Sequence, residues 1–352
     1  MSSEPSNVAI TFSGAVANGA FEAGALAVLS EEDLPITRVL GTSSGALNAT
    51  LFARYLLAGD PRAGAKELVA LWRTEASIWH VIRPSWRGIR TFTGLSGQGG
   101  IVEILRRHVA PVPEARADVD LFLVVTALDG RLGDIGGSAA TTHEGVCHFR
   151  GDDFATPERL ERVFQAAAAS AAFPGVFAPA NVPGLGPCSD GGIVNNTPLA
   201  HVLDADVGRV VVLVPSPRVS HDQPPRNPGA LLGRIADVIV QERLYRDLRA
   251  AEKVNARIAA LDDLAVKGND RSLLYDARIA AGLGGKRRVR ILEVRPDRAL
   301  PNPFSGFFSR KSREDLLERG REAAQRALRL DGWLDPAATS APRAPARLAG
   351  AS

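Results

Sequence analysis

The chain has 352 residues, 45% of them apolar, with 42 lysines and arginines against 39 acids. That length could hold one large α/β domain or two smaller ones, either with a sizeable core, and the small basic excess argues against a nucleic-acid binder, which concentrates its cations in a stripe. Two cysteines, Cys147 and Cys188, cannot build a disulfide framework, no Cys/His group has metal-ligand spacing, and no apolar run reaches the roughly 20 residues that span a bilayer.

The start, "MSSEPSNVAI", lacks the basic and apolar parts of a signal peptide, so residues 1–6 are expected to be an N-terminal arm of a cytoplasmic protein. The first predicted strand, 7–14, leads through a turn of small residues into a helix beginning near Asn18 or Gly19. Exposed backbone N–H groups at such a turn, backed by a helix N-terminus, suit an anion; in acyl transfer that anion is the tetrahedral oxyanion. The second strand, 36–41, meets a helix from Ala46 onward across Gly41-Thr42-Ser43-Ser44-Gly45. This is a G-x-S-x-G pattern. In a nucleophile elbow the serine is strained and points its Oγ into a cleft, while the glycines let strand and helix pass without Cβ clashes. The spacing selects Ser43 rather than Ser44; the plainer alternative is an ordinary strand-to-helix connection.

Residues 76–118 hold Trp79 and Trp86 interleaved with Arg83, Arg87 and Arg90, and are expected to cap the cleft. Aromatic and basic residues together suit the interface of an anionic bilayer. Residue by residue, the reading preferred is a core tryptophan and a solvated arginine. Further strands are predicted at 120–129, 208–216 and 288–296, and a long amphipathic helix over 229–263, with Leu231, Ile235, Val238, Leu248, Ala251, Val254, Ile258 and Leu261 on its apolar face. His143, His148, His201 and His221 read as structural or exposed. Residues 332–352 are too poor in large apolar residues to fold and are expected to be a disordered tail. Apolar strands alternating with helices imply a largely parallel sheet covered on both faces.

Four stretches follow one another along the chain: Gly14 to Gly19, the Ser43 elbow, Ser170 to Pro174 as A-S-x-x-x-P, and Asp190-Gly191-Gly192 followed by "VNNTPL". Together they resemble the patatin-like phospholipases. The resemblance covers roughly 7–331, because 307–328 is similar to that family's closing helix. It implies a three-layer α/β/α domain with a central, mostly parallel sheet, acting on phospholipids or lysophospholipids at a membrane surface, with no metal or organic cofactor. It also implies that Ser43 is the nucleophile and Asp190 its base, a dyad without histidine. The oxyanion hole would be the N–H groups of Gly14, Ala15 and Val16, supported by Asn18, Gly19, Gly41, Gly45, Gly191 and Gly192.

An aspartate near its ordinary pKa of about 4 is a weak base at neutral pH, so burial must tune it. The family's loop commonly reads G-G-G-x-R-G, against Gly14-Ala15-Val16-Ala17-Asn18-Gly19 here. A β-branched Val16 fits a positive φ poorly, so either the loop needs no left-handed residue there or the hole is impaired. Asn18 offers a neutral amide in place of a cation. Three alternatives stand beside the dyad: an esterase with a Ser-Asp-His triad using His201 or His221, a non-catalytic lipid- or protein-binding relative, and a transacylase.

Overall fold

The computed structural model describes residues 7–331 apart from 82, 85–93, 136–137, 204–206, 218–227, 269–270, 284–285, 287 and 303. Its strands in chain order are β1 (Val8–Phe12), β2 (Ile36–Thr42), β3 (Arg83–Pro84), β4 (Gly94–Gly97), β5 (Asp120–Ile135), β6 (Ser138–Phe149), β7 (Gly175–Phe177), β8 (Ala180–Val182), β9 (Gly186–Asp190), β10 (Arg209–Leu213) and β11 (Arg290–Val294). The main sheet has the order β11-β10-β1-β2-β5-β9-β8, with β6 also paired to β5, while β3, β4 and β7 form a small second sheet. From β11 across to β5 every pairing is parallel; β6 and β9 join β5 antiparallel.

Strand β1 is buried throughout because both faces of the sheet are covered. Val8, Ile10 and Phe12 point into one core, shared with helices α1 (Gly19–Leu29) and α2 (Ser44–Leu57) and with the closing helix Arg310–Asp331. Ala9 points the other way, into a second core with Leu40, Val210 and Val212 that Leu244 and Leu248 close. The result is the expected three-layer α/β/α arrangement. Helix α3 (Pro61–Thr74) follows α2, capped by Asp60, whose side chain accepts from the Ala63 N–H at 2.9 Å.

The long helix runs Pro228–Gly268. Leu248, Ala251 and Ile258 are buried and Val254 and Leu261 half-buried, as predicted, whereas Val238 is exposed; among the described side chains of this helix the first to pack in the second core is Leu244. The side chains of Leu231 and Ile235 lie outside the described residues, as do the arm 1–6 and the tail 332–352. Strand β5 extends beyond the predicted 129 because it pairs with β6. Cys147 and Cys188 are buried and not joined in a disulfide. Among the described residues no helix is long and apolar enough to cross a membrane.

Candidate active site

The turn between β2 and α2 holds Ser43 at φ 55° and ψ −129°, a conformation that costs an L-residue about 1–3 kcal/mol and persists only where its surroundings impose it. Close packing is one such constraint. A Cβ on Gly45 would lie 2.4 Å from the Phe12 carbonyl oxygen, so only glycine lets α2 start this near β1. Ser170 supplies a second constraint. Its Oγ accepts the Ser43 N–H at 2.9 Å and donates to the Val124 carbonyl at 2.5 Å, tying the elbow to β5.

Asp190 ends β9 and is fixed through its backbone: its N–H donates to the Ala172 carbonyl and its carbonyl accepts from Thr126 Oγ1 at 2.7 Å. One carboxylate oxygen, Oδ2, accepts the Ser43 hydroxyl at 2.7 Å; the other, Oδ1, accepts the Gly192 N–H at 2.7 Å. Burial raises the Asp190 pKa to about 6, with the bonds from Ser43 and Gly192 pulling the other way. Gly191 has an ordinary φ of −61°. Glycine is needed there for space, since a Cβ would lie 2.1 Å from the Val124 carbonyl oxygen.

The loop after β1 differs from the expectation. The Gly14 N–H donates to the Asn196 carbonyl at 3.0 Å and the Ala15 N–H to Ser44 Oγ at 3.0 Å, so two of the three expected oxyanion donors are already engaged. The Val16 N–H has no acceptor among the described residues, and Val16 lines the cavity beside Ser43. Val16 sits at φ 54°, although a β-branched residue fits there poorly. The flanks impose it: Asn196 anchors Gly14, and the Asn18 N–H closes a turn onto the Ala15 carbonyl at 2.9 Å. Asn18 is buried outside the cavity lining, and its Oδ1 has no partner among the described residues.

Behind the loop lies a network that sequence reasoning missed. Trp72 Nε1 donates to Asn48 Oδ1 at 2.9 Å, and Asn48 Nδ2 donates to Glu22 Oε2 at 2.8 Å and to the Gly19 carbonyl at 3.0 Å. Burial pushes the Glu22 carboxyl well above its usual range, against the bonds from Asn48 and the Ser13 backbone. The network joins α1, α2 and α3 around the site. Its one visible signal was a lone acid in the otherwise apolar α1, "GAFEAGALAVL".

None of the histidine nitrogens in the described residues bonds Ser43 or Asp190. His201 Nε2 bonds Glu144 at 2.8 Å, His143 Nδ1 the Ala127 carbonyl and His148 Nε2 Asp120; His221 lies outside the described residues. Glu144 also accepts from Asn195 at 2.7 Å and Arg243 at 2.9 Å. Its burial favours the neutral acid, yet these partners outweigh it and hold the pKa at about 2.

Ser43 opens on a cavity of about 330 Å³ whose polar lining, among the described residues, is Ser43, Ser44, Asn48 and the indole of Trp72. The rest is aliphatic and phenyl surface, including Leu68, Ile101, Leu105, Phe177 and Phe307. Ala76, Val81 and Ile104 place the 76–118 segment against it. Trp79 corrects the core reading of the tryptophans, being 86% exposed; Trp86, Arg87 and Arg90 lie outside the described residues, and Arg83 is known only as part of β3.

Residues 10–203, more than half of the chain, match the model of the family described as Patatin-like phospholipase. No curated protein matches the chain. Among solved structures it is similar to VipD from Legionella pneumophila, at 14% identity and TM-score 0.39, over 93% of this chain and 67% of that one. It is also similar to the type III effector ExoU, at 12% identity and TM-score 0.33, over 93% of this chain and 53% of that one, so it spans about half of ExoU's length.

Proposed function

The chain belongs to the patatin-like phospholipase family, and from that premise we propose that it is a serine acyl hydrolase cleaving the ester bonds of phospholipids or lysophospholipids. One observation carries the reading: the Ser43 hydroxyl donates to a buried carboxylate, Asp190, at 2.7 Å, where an apolar cavity ends. Such a cavity suits an acyl chain and places its ester carbonyl over Oγ.

Asp190 Oδ2 takes the hydroxyl proton as Ser43 Oγ bonds to the carbonyl carbon. The oxyanion that forms is met by the N–H groups of Val16 and Ser44, the second at the unpaired first turn of α2, where the helix dipole favours negative charge. Asp190 then returns the proton to the leaving alcohol oxygen, the ester C–O bond breaks, and an acyl group remains on Ser43. Water attacks that acyl-enzyme, gives a proton to Asp190, and releases the fatty acid as Ser43 regains its hydrogen. Residues 7–331 act as one acyl hydrolase unit, with 76–118 as the cap over the cavity.

A Ser-Asp-His triad is the weaker reading, because His201, one of its two candidates in chain order, is committed to Glu144. The test is mass spectrometry of phospholipid incubated with the purified protein. Fatty acid and lysophospholipid are expected from the wild type; their absence, with the fold intact, would contradict the proposal.

A further inference from the structure

Large apolar side chains are left in water around the mouth of this cavity. Phe308 is 69% exposed and Phe173 and Phe304 are 39% exposed each, yet all three line the cavity, so they form its rim. Phe173 and Phe304 meet edge to face with ring centroids 6.1 Å apart. Trp79 stands on the short helix Ile78–Val81, between the lining residues Ala76 and Val81. Soluble proteins scatter single apolar residues over their surface; a group gathered at one opening marks a contact.

Cations stand beside this rim. The Phe-bearing helix Ser305–Phe308 runs directly into exposed Arg310 and Lys311. Arg313 draws exposed Arg73 to the same place, donating to the Gly306 carbonyl at 2.7 Å and to the Arg73 carbonyl at 3.2 Å. Arg310 pairs with Glu314 at 3.1 Å, an exposed pair of little strength, while Arg73 and Lys311 form no ion pair among the described residues.

We infer that the Trp79–Phe173–Phe304–Phe308 rim, flanked by Arg73, Arg310 and Lys311, docks the protein on a bilayer containing anionic phospholipid. Rings at headgroup depth and cations on phosphate would both be satisfied, and a chain leaving the bilayer would enter the cavity without crossing water. The acyl-hydrolase reading is needed only to say what enters the cavity; docking itself is independent of catalysis.

The experiment therefore uses Ser43→Ala, which cannot consume the membrane, and measures sedimentation with vesicles of phosphatidylcholine and phosphatidylglycerol in equal parts or of phosphatidylcholine alone. Stronger binding to the anionic vesicles is expected. Adding Phe308→Ser or Trp79→Ser should each weaken it about tenfold, the scale of one large apolar side chain. Lys311→Glu should weaken anionic binding by roughly fivefold or more and leave neutral binding unchanged. In the active background, Trp79→Ser and Lys311→Glu should keep wild-type rates on a short soluble ester, since neither lines the cavity. Equal binding to both vesicles, or partition unmoved by all three variants, overturns the inference. So does light scattering that finds a lipid-free dimer dissociated by Trp79→Ser, which would make a second copy the occupant of the rim.

Discussion

Asn196 grips Gly14 from both sides of a ring: its carbonyl accepts the Gly14 N–H at 3.0 Å and its side-chain amide donates to the Gly14 carbonyl at 2.8 Å. Asn196 lies six residues after Asp190, so one short segment sets both that carboxylate and the loop facing Ser43. Asn196→Ala should reduce turnover on a short ester at least about tenfold while costing about 1 kcal/mol of stability, the scale of one hydrogen bond. Steady-state rates beside a thermal melt check this; an unchanged rate would make the grip merely structural.

In the proposed mechanism Asp190 must be ionised to accept the serine proton, and burial holds its pKa at about 6. Turnover should therefore rise through about pH 6 and level off above it. A pH–rate profile on a soluble ester, with stability followed in parallel, tests this; a plateau reaching down to pH 4 would show a base with no such shift.

The same burial has an energetic consequence of known sign. Because the folded-state pKa lies above the unfolded value of 3.8, the folded form binds the proton more tightly, and stability present below pH 3.8 is lost as pH rises through about 6. At neutral pH the loss is about 3 kcal/mol, at 1.36 kcal/mol per pH unit. Asp190→Asn cannot ionise, so it should melt higher than the wild type at pH 8, with the gain vanishing near pH 4, while turnover falls at least about a hundredfold. A lowered melting temperature at pH 8 would oppose this.

Val16 pays in strain for a position that glycine would occupy freely, with φ at 54°. Val16→Gly should keep the N–H in place, leave the melting temperature unchanged or higher, and retain short-ester turnover within about threefold. Val16→Pro removes the N–H and fixes φ near −65°, so it should lose at least about a hundredfold. Equal rates in the two folded variants would mean that the Val16 N–H meets no oxyanion.

The parallel strands and the elbow were legible because fully buried strands are written as apolar runs, and because Gly45 answers a steric need that the sequence displays. Strand β6 was legible only in part: in "SAATTHEGVCHF" just the stretch between His143 and His148 reads as strand-like, and the rest has too little apolar alternation to announce a strand. The turn of small residues after β1 was legible as a passage into a helix, but which of its amides are engaged depends on Asn196 and Ser44, partners distant in sequence or assigned only to start a helix. Ser170 and Asn196 were visible only as motif letters. Their roles rest on hydrogen bonds spanning 127 and 182 residues, which no local pattern encodes.

In the proposed reaction Ser43 is the nucleophile. A fluorophosphonate probe should label the wild-type protein, and peptide mapping should place the adduct on Ser43. Labelling should disappear in Ser43→Ala, persist in Ser44→Ala, and be unaffected by His201→Ala. No labelling of folded wild-type protein, or an adduct that survives Ser43→Ala, would contradict the account.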